Sequence, residues 1–122
     1  MQTRLFEAGL RRISGMTVID LHGEVNRESE AALSAAYDDA ETLASPTIAL
    51  NFADVQYINS TGIAIIVGIL ARARRDGRTL TAFGLSDHYR TIFEITRLTS
   101  FVHVVPDEES AIRDGTQDAE EA

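Results

Sequence analysis

The chain has 122 residues, 44% of them hydrophobic and 25% charged, and its formal net charge is −8. This size and composition predict one soluble globular domain with a single core, while the acidic balance argues against nucleic acid as a partner. The chain contains no cysteine, which excludes a disulfide framework and a thiolate metal site, and no apolar run is long enough to cross a membrane.

Strands and helices alternate along the chain. A turn at Ser14-Gly15 joins the first two strands, and the last three strands each follow a helix. The predicted elements are strands at 4–13 and 16–22, a helix at 27–44, a strand at 47–52, a loop at 53–58, a helix at 61–76, a strand at 79–83, a helix at 87–97, a strand at 101–105 and a helix at 106–112. This order predicts an α/β fold with a mixed central β-sheet and helices packed mainly on one face.

The two ends of the chain differ in character. Residues 1–113 are predicted to form the domain, whereas residues 114–122 are acidic and poor in apolar side chains, which predicts a disordered tail. The first residues lack the apolar core of a signal peptide, so the cytoplasm is the expected location, without direct membrane insertion.

All eleven basic residues of the chain are arginines. Four of them, Arg72, Arg74, Arg75 and Arg78, cluster at the end of the apolar helix. Stabilisation of the helix C-terminus is the favoured explanation, since cations interact well with that end of the helix dipole. A partner with acidic groups stays open.

The most informative segment is Asn59-Ser60-Thr61-Gly62, which lies between a strand and the apolar helix. A helix N-terminus has unpaired backbone N–H groups and the positive end of the dipole, and it therefore favours an anion such as a phosphate. Capping of the helix is the ordinary explanation for any one such residue. Three residues able to cap in a row exceed that need, and Gly62 would leave room for the backbone of a partner.

The helix after this segment is apolar on more than one side. Its inner stripe is predicted to consist of Ile63, Ile66, Val67 and Leu70. That assignment turns Ile65 and Ile69 to the flank or the outside. Either a partner protein or the chain's own neighbouring segments would cover these two side chains, and the sequence favours neither.

Residues Val55 to Ile63, preceded by a strand and followed by an apolar helix, resemble the signature of the STAS family. This domain is shared by sulphate transporters and bacterial anti-sigma-factor antagonists. Three further segments resemble the family, at 21–26, 75–80 and 92–98. The likeness covers about Leu5 to Ile112.

The resemblance implies a non-enzymatic switch protein without a cofactor. In free-standing members of the family, a partner that is both an anti-sigma factor and an ATP-dependent serine kinase phosphorylates one serine, and a serine phosphatase reverses the modification. The unphosphorylated antagonist sequesters the partner and frees the sigma factor. By resemblance the acceptor is Ser60, with Thr61 as the second choice. The implied partner-binding residues are Asn26, Asn59, Ser60, Thr61, Gly62, Ile65 and Ile69.

Two positions depart from the family pattern, because Asn59 and Asn26 stand where Asp is common. Both changes remove a negative charge near Ser60. They support an alternative, in which the chain is a non-phosphorylated STAS assembly module of a stress-sensing or lipid-transport complex. A homodimer also stays open.

Other chemistries have weaker support in the sequence. His22, His88 and His103 lack the spacing of metal ligands, and no phosphate-binding glycine loop is present. Ser60 lacks the Gly-x-Ser-x-Gly setting of a hydrolase nucleophile. Asp54 follows a strand, as a receiver-type phosphoacceptor would, but no acidic cluster accompanies it. The chain is therefore not expected to be an enzyme.

Overall fold

The computed structural model describes residues 5–43 and 45–121 of the chain, and the side chains as far as residue 114. The strands are β1 Glu7–Ile13, β2 Met16–Val25, β3 Thr47–Ile58, β4 Thr79–Phe83 and β5 His103–Val105. The helices are α1 Glu30–Thr42, α2 Ser60–Arg75, α3 Asp87–Ile95 and α4 Glu108–Glu121, with a first 3₁₀ turn at Arg27–Ser29 and a second at Leu98–Ser100. The predicted start of the first strand at residue 4 and the predicted end of the first helix at residue 44 lie outside the described residues.

The described strands form one mixed sheet in the order β1-β2-β3-β4-β5. Strands β1 and β2 are antiparallel, because Ser14 and Gly15 both have positive φ and form the tight turn between them. The other pairs are parallel, with a helix in each crossover between them. The predicted α/β fold with a mixed sheet is confirmed.

The two faces of the sheet are covered unequally. Helices α1, α2 and α3 pack on one face over the main core, where Ile19, Ile48 and Leu50 are almost completely buried. On the other face, Ala111 of α4 lies in a smaller cluster with Val18 and other strand residues. The helices therefore lie mainly on one face, as predicted.

Several predicted bounds differ from the structure, and the two largest differences are at strand β3 and helix α4. Residues 53–58, predicted as a loop, continue strand β3, because β2 runs on to Val25 and pairs with β3 as far as Ile58. Helix α4 continues past residue 112 to Glu121, and it has Glu108 and Glu109 in its first turn, where acidic side chains interact favourably with the helix dipole. The domain boundary after residue 113 stays a prediction.

Helix α2 has one side buried in the main core and the other side at the surface. It has 16 residues and is about 24 Å long. Ile66, Leu70 and Ala73 of this helix are buried in the core.

Within the described part of the chain, no helix combines the length and the apolar character that crossing a bilayer requires.

Candidate functional site

The end of strand β2 and the end of strand β3 lie side by side at one edge of the sheet. The backbone N–H of Asn59 donates a hydrogen bond to the carbonyl oxygen of Val25, with an N···O distance of 3.2 Å. The first 3₁₀ turn follows β2 and helix α2 follows β3. The parallel pairing therefore brings Asn26 close to the Asn59-Ser60-Thr61 segment, although more than thirty residues separate them in the sequence.

Asn59 is the N-cap of helix α2. Its backbone is extended, and its side-chain oxygen accepts a hydrogen bond from the N–H of Gly62 at 2.8 Å. The N–H of Ile63 donates to the backbone oxygen of Asn59 at 2.9 Å. Asn59 thus meets the capping requirement by itself, which leaves the hydroxyls of Ser60 and Thr61 free for another role.

Ser60 and Thr61 are exposed at the start of α2. In the part of the chain that the structure describes, neither hydroxyl makes a hydrogen bond. Their backbone N–H groups have no acceptor within the helix, since the first turn of an α-helix lacks one. The first turn also has no acidic residue, so no carboxylate of that turn offsets the positive end of the helix dipole.

Asn26 caps the first 3₁₀ turn in the same way. Its side-chain oxygen accepts a hydrogen bond from the N–H of Glu28 at 3.0 Å, and the hydroxyl of Ser29 accepts one from the N–H of Asn26. The Ser29 hydroxyl donates to the carbonyl oxygen of Glu24. Both asparagines, Asn26 and Asn59, therefore have structural roles at helix starts.

Gly62 is buried against the chain's own backbone. A Cβ added at this residue would lie 2.2 Å from the carbonyl oxygen of Val25 and 3.0 Å from Cγ2 of Ile58. The prediction that a partner's backbone approaches Gly62 is wrong, because β2 already occupies that space. The absent side chain lets the helix start pack on the end of β2.

The prediction that Ile65 and Ile69 point to the flank or the outside is also wrong, since they are 9% and 3% exposed and lie in the main core, where the chain's own residues cover them. Residues three, four and seven positions along a helix share a face. Gly62 must face Val25. Ile65, Ile66 and Ile69 lie on the same side of the helix as Gly62, and they therefore turn inward as well. Val67, which the sequence placed inside, is instead 42% exposed.

The outer face of α2 consists of small residues and one valine. We use this name for the exposed residues Ala64, Val67, Gly68 and Ala71. They follow Ser60 and Thr61 along the same side of the helix. An exposed apolar surface therefore still adjoins the hydroxyl pair, but it is formed by these residues rather than by the two isoleucines.

Tyr89 supports the site from helix α3, a role that the sequence analysis missed. Its hydroxyl accepts a hydrogen bond from the N–H of Ile58 at 2.8 Å and lies 3.4 Å from the carbonyl oxygen of that residue. Within the described sheet, β4 pairs with β3 only as far as Asn51, so the backbone of Ile58 lacks a strand partner on that side. A tyrosine in the apolar stripe of α3 was the available signal, since a buried hydroxyl needs a partner.

Tyr57 is a second residue that the sequence analysis did not select. Its side chain is 53% exposed, and it lies three residues before Ser60. Aromatic residues with exposed rings are common at protein interfaces. Tyr57 therefore extends the exposed surface from α2 to the end of β3.

The acidic residues that a receiver-type site would need are engaged elsewhere. Oδ2 of Asp54 lies 3.0 Å from Nδ1 of His22, and Asp20 accepts hydrogen bonds from Arg11 and Asn51. The Arg11 guanidinium holds the pKa of the Asp20 carboxyl below its ordinary value. Among the described residues, no group of three or more His, Asp or Glu side chains is placed to hold a metal ion.

The sequence of this chain matches a known family. A family model described as "Mlab, STAS domain" matches residues 9–106. The chain is 27% identical over 82 residues to an anti-sigma-B factor antagonist of Listeria monocytogenes, an alignment that covers 67% of this chain and 72% of the relative. It is 37% identical over 57 residues to an anti-sigma-B factor antagonist of Staphylococcus aureus, covering 47% of this chain and 53% of that one.

Solved structures share the fold at low sequence identity. An anti-sigma factor antagonist from Mycobacterium paratuberculosis superposes with a TM-score of 0.79 at 15% identity, covering 92% of this chain and 95% of that chain. The Bacillus cell fate determinant SpoIIAA in its phosphorylated form superposes with a TM-score of 0.66 at 20% identity, covering 89% of this chain and 98% of that chain. At these identities the likeness establishes the fold alone.

Proposed function

Since the chain belongs to the STAS domain family, we propose that it acts as an anti-sigma-factor antagonist, a non-enzymatic switch controlled by phosphorylation of Ser60. The unphosphorylated chain would sequester a partner that is both an anti-sigma factor and a serine kinase. Phosphorylation by that partner would end the complex, and a serine phosphatase would restore it. The relatives named anti-sigma-B factor antagonists support this assignment.

The observation that carries the proposal is the free hydroxyl of Ser60 beside a helix start that Asn59 already caps. An acceptor serine must be accessible to a kinase, and Ser60 is exposed. Its modification would break no hydrogen bond that the described residues make with its side chain. Thr61 is exposed as well and is the second candidate.

The electrostatics of the site favour a switch that leaves the fold intact. A phosphoserine adds about −1.5 to −2 charge at neutral pH. The helix N-terminus tolerates this charge, because its free N–H groups and dipole attract an anion. Inside a docked interface the same charge would lose its water, and a loss of about 1.4 kcal/mol already weakens binding tenfold.

The surface proposed for the partner surrounds Ser60. It combines Thr61, the outer face of α2 and the exposed ring of Tyr57, with Asn26 and Asn59 at its border. Gly62, Ile65 and Ile69 are buried under this surface and affect it only indirectly, because their packing sets the orientation of α2. Small outer residues would let a partner approach the helix closely.

The experiment that tests this function is phosphorylation of the purified chain by a candidate anti-sigma kinase with ATP, followed by mass spectrometry. We expect one phosphate on Ser60 and loss of the complex. Ser60→Ala and Thr61→Ala are matched controls, since both lie at the same helix start. Phosphate on the Thr61→Ala chain and none on the Ser60→Ala chain would identify the acceptor.

A second candidate function is that of a non-phosphorylated assembly module. The specific observation in its favour is that Asn59 and Asn26 both serve as caps, so no carboxylate from these positions accompanies Ser60. Under this function the complex would form through the same surface, and the mass of the chain would stay unchanged after incubation with kinase and ATP. Intact binding without phosphate would therefore favour the module over the switch.

A further inference from the structure

A second exposed surface lies toward the other end of helix α2. An apolar groove of about 340 Å³ runs between the C-terminal half of α2 and the second 3₁₀ turn. Its apolar walls are Val67, Leu70, Ala71, Leu98 and Phe101. Val67 is 42% exposed and Phe101 is 46% exposed, so the described chain leaves two large apolar side chains of this groove open to solvent.

Arginines border this groove. Arg74 and Arg75 line it, and the guanidinium of Arg74 lies over the ring of Phe101 at 5.0 Å from the ring centroid. A neighbouring polar pocket of about 420 Å³ shares Arg74 and Phe101 with the groove and adds Arg78 and Ser100. The apolar walls and the cationic border therefore form one continuous surface, which we call the arginine-rimmed groove.

The charges of this surface are not neutralised within the part of the chain that the structure describes. Arg72 forms ion pairs with Asp38 and Glu41. In contrast, Arg74 and Arg75 have no carboxylate partner among the described side chains, and the hydrogen bonds of Arg78 go to backbone carbonyl oxygens. A chain with a net charge of −8 thus places two arginines at an apolar groove and a third, Arg78, in the neighbouring pocket, without a carboxylate partner among the described side chains.

Stabilisation of the helix C-terminus accounts for only part of this arrangement. Basic residues near the last turn of α2 interact favourably with the helix dipole. That effect requires neither an open apolar groove beside them nor the exposed ring of Phe101. A small free anion would leave the apolar walls uncovered, whereas a segment with both aliphatic and acidic side chains would match the whole surface.

We propose that the arginine-rimmed groove binds an acidic amphipathic segment of a partner protein. Aliphatic side chains of the segment would fill the groove between Val67 and Phe101. Its carboxylates would pair with Arg74 and Arg75 and, in the neighbouring pocket, with Arg78. Charge complementarity is the ground for this choice of occupant, since carboxylates of the segment would neutralise cations that have no carboxylate partner among the described side chains.

The cationic border of this surface is separate from Ser60, although the groove shares Val67 and Ala71 with the outer face of α2. At 1.5 Å per residue, Ser60 and Arg74 are about 21 Å apart along the helix axis. That distance is more than twice the screening length of about 8 Å at physiological ionic strength, so a phosphate at Ser60 would have little effect on carboxylates held by Arg74. Binding in the groove is therefore expected not to depend on phosphorylation of Ser60.

The test uses the full chain, labelled with ¹⁵N, and a panel of synthetic helical peptides with leucines on one face and glutamates along its border. The panel varies the register of the two residue types, and each peptide has a matched version with glutamine in place of glutamate. We expect amide shift changes at residues 67–75 and 98–103, and weaker binding of every glutamine version.

Substitutions assign the binding to this surface. Arg74→Gln is expected to lower the affinity for the peptide about threefold or more, because an exposed charge pair is lost. Phe101→Ala is expected to lower the affinity for the peptide about fivefold or more, because an aromatic contact in the interface is lost. Arg12→Gln, at an exposed arginine on β1, is the matched control and should leave the affinity unchanged.

Several results would overturn the proposal. One is the absence of binding by every peptide up to millimolar concentration, and another is equal affinity for the glutamate and glutamine versions. Shift changes confined to residues 24–26 and 57–64 would assign the peptide to the Ser60 surface instead. Self-association of the chain that Phe101→Ala abolishes, measured by sedimentation, would identify a second copy as the occupant.

Discussion

Gly62 and Val25 are in such close contact that no other residue fits at the first turn of α2. A Cβ on Gly62 would lie 2.2 Å from the carbonyl oxygen of Val25, on the neighbouring strand end. This contact sets the rotation of α2 about its axis. As a result, Ile65 and Ile69 turn into the core, while Ser60, Thr61 and Val67 face outward.

Gly62→Ala is expected to lower the free energy of unfolding by about 2 kcal/mol or more, because the helix start must move away from β2. Urea unfolding measures this change. Gly68→Ala is the matched control in the same helix, since a Cβ there meets no other described atom within 4 Å. The control should gain up to about 1 kcal/mol from its better helix propensity. A similar effect of both substitutions would contradict the role given to the Val25 contact.

Ser60→Asp is expected to weaken the complex with the anti-sigma partner at least about tenfold, because a charge enters the interface. The free energy of unfolding should change by less than about 0.5 kcal/mol, since a carboxylate suits a helix N-terminus. Calorimetric titration and thermal unfolding measure the two quantities. Ser60→Ala, which adds no charge, should keep the affinity. A collapse of stability in Ser60→Asp would make Ser60 a structural residue.

Asn59→Ala is expected to lower the free energy of unfolding by about 1 kcal/mol, because the N–H of Gly62 loses its acceptor. Asn59→Asp keeps an acceptor at the same place and should retain the stability of the unmodified chain. Denaturant titrations of both variants check this difference. If Asn59→Ala proved as stable as the unmodified chain, the cap would have to be Ser60 or Thr61.

Tyr89→Phe is expected to cost about 1 to 3 kcal/mol of stability, since the N–H of Ile58 would be left buried without a partner. Hydrogen exchange at the Ile58 amide should accelerate along with this loss. Tyr57→Phe removes the same hydroxyl from a residue that is 53% exposed, and it should change stability by less than about 0.5 kcal/mol. Unchanged exchange at Ile58 in Tyr89→Phe would argue that another group holds this strand end.

The lowered pKa of the Asp20 carboxyl predicts that the folded chain loses stability at low pH. This pKa is lowered in the folded chain by Arg11, so the stabilising contribution of Asp20 is present above the ordinary carboxyl pKa of 3.8 and is lost as the pH falls through the lowered folded value. Asp20→Asn should flatten the dependence of unfolding free energy on pH below about 4. Asp87→Asn, at a carboxyl whose side chain is 95% exposed, serves as the control. An unaltered acid profile in Asp20→Asn would contradict this assignment.

The alternation of elements, the mixed sheet and the STAS family resemblance were predictable from the chain, because they depend on local periodicity and on a contiguous motif. The extent of β3 was not, since residues 53–57 are exposed or half-buried and only pairing with β2 holds them in a strand. The role of Tyr89 was also hidden, because its partner Ile58 is 31 residues away in the sequence.

The sequence by itself determined that three residues able to cap, two of them with hydroxyls, stand at the start of an apolar helix, because caps and helix propensity act over a few neighbouring residues. Only the tertiary structure decided which side of that helix is exposed. A helix that is apolar nearly all round has no strong rotational preference of its own, and its orientation is set by the contact between Gly62 and Val25, which are distant in the sequence.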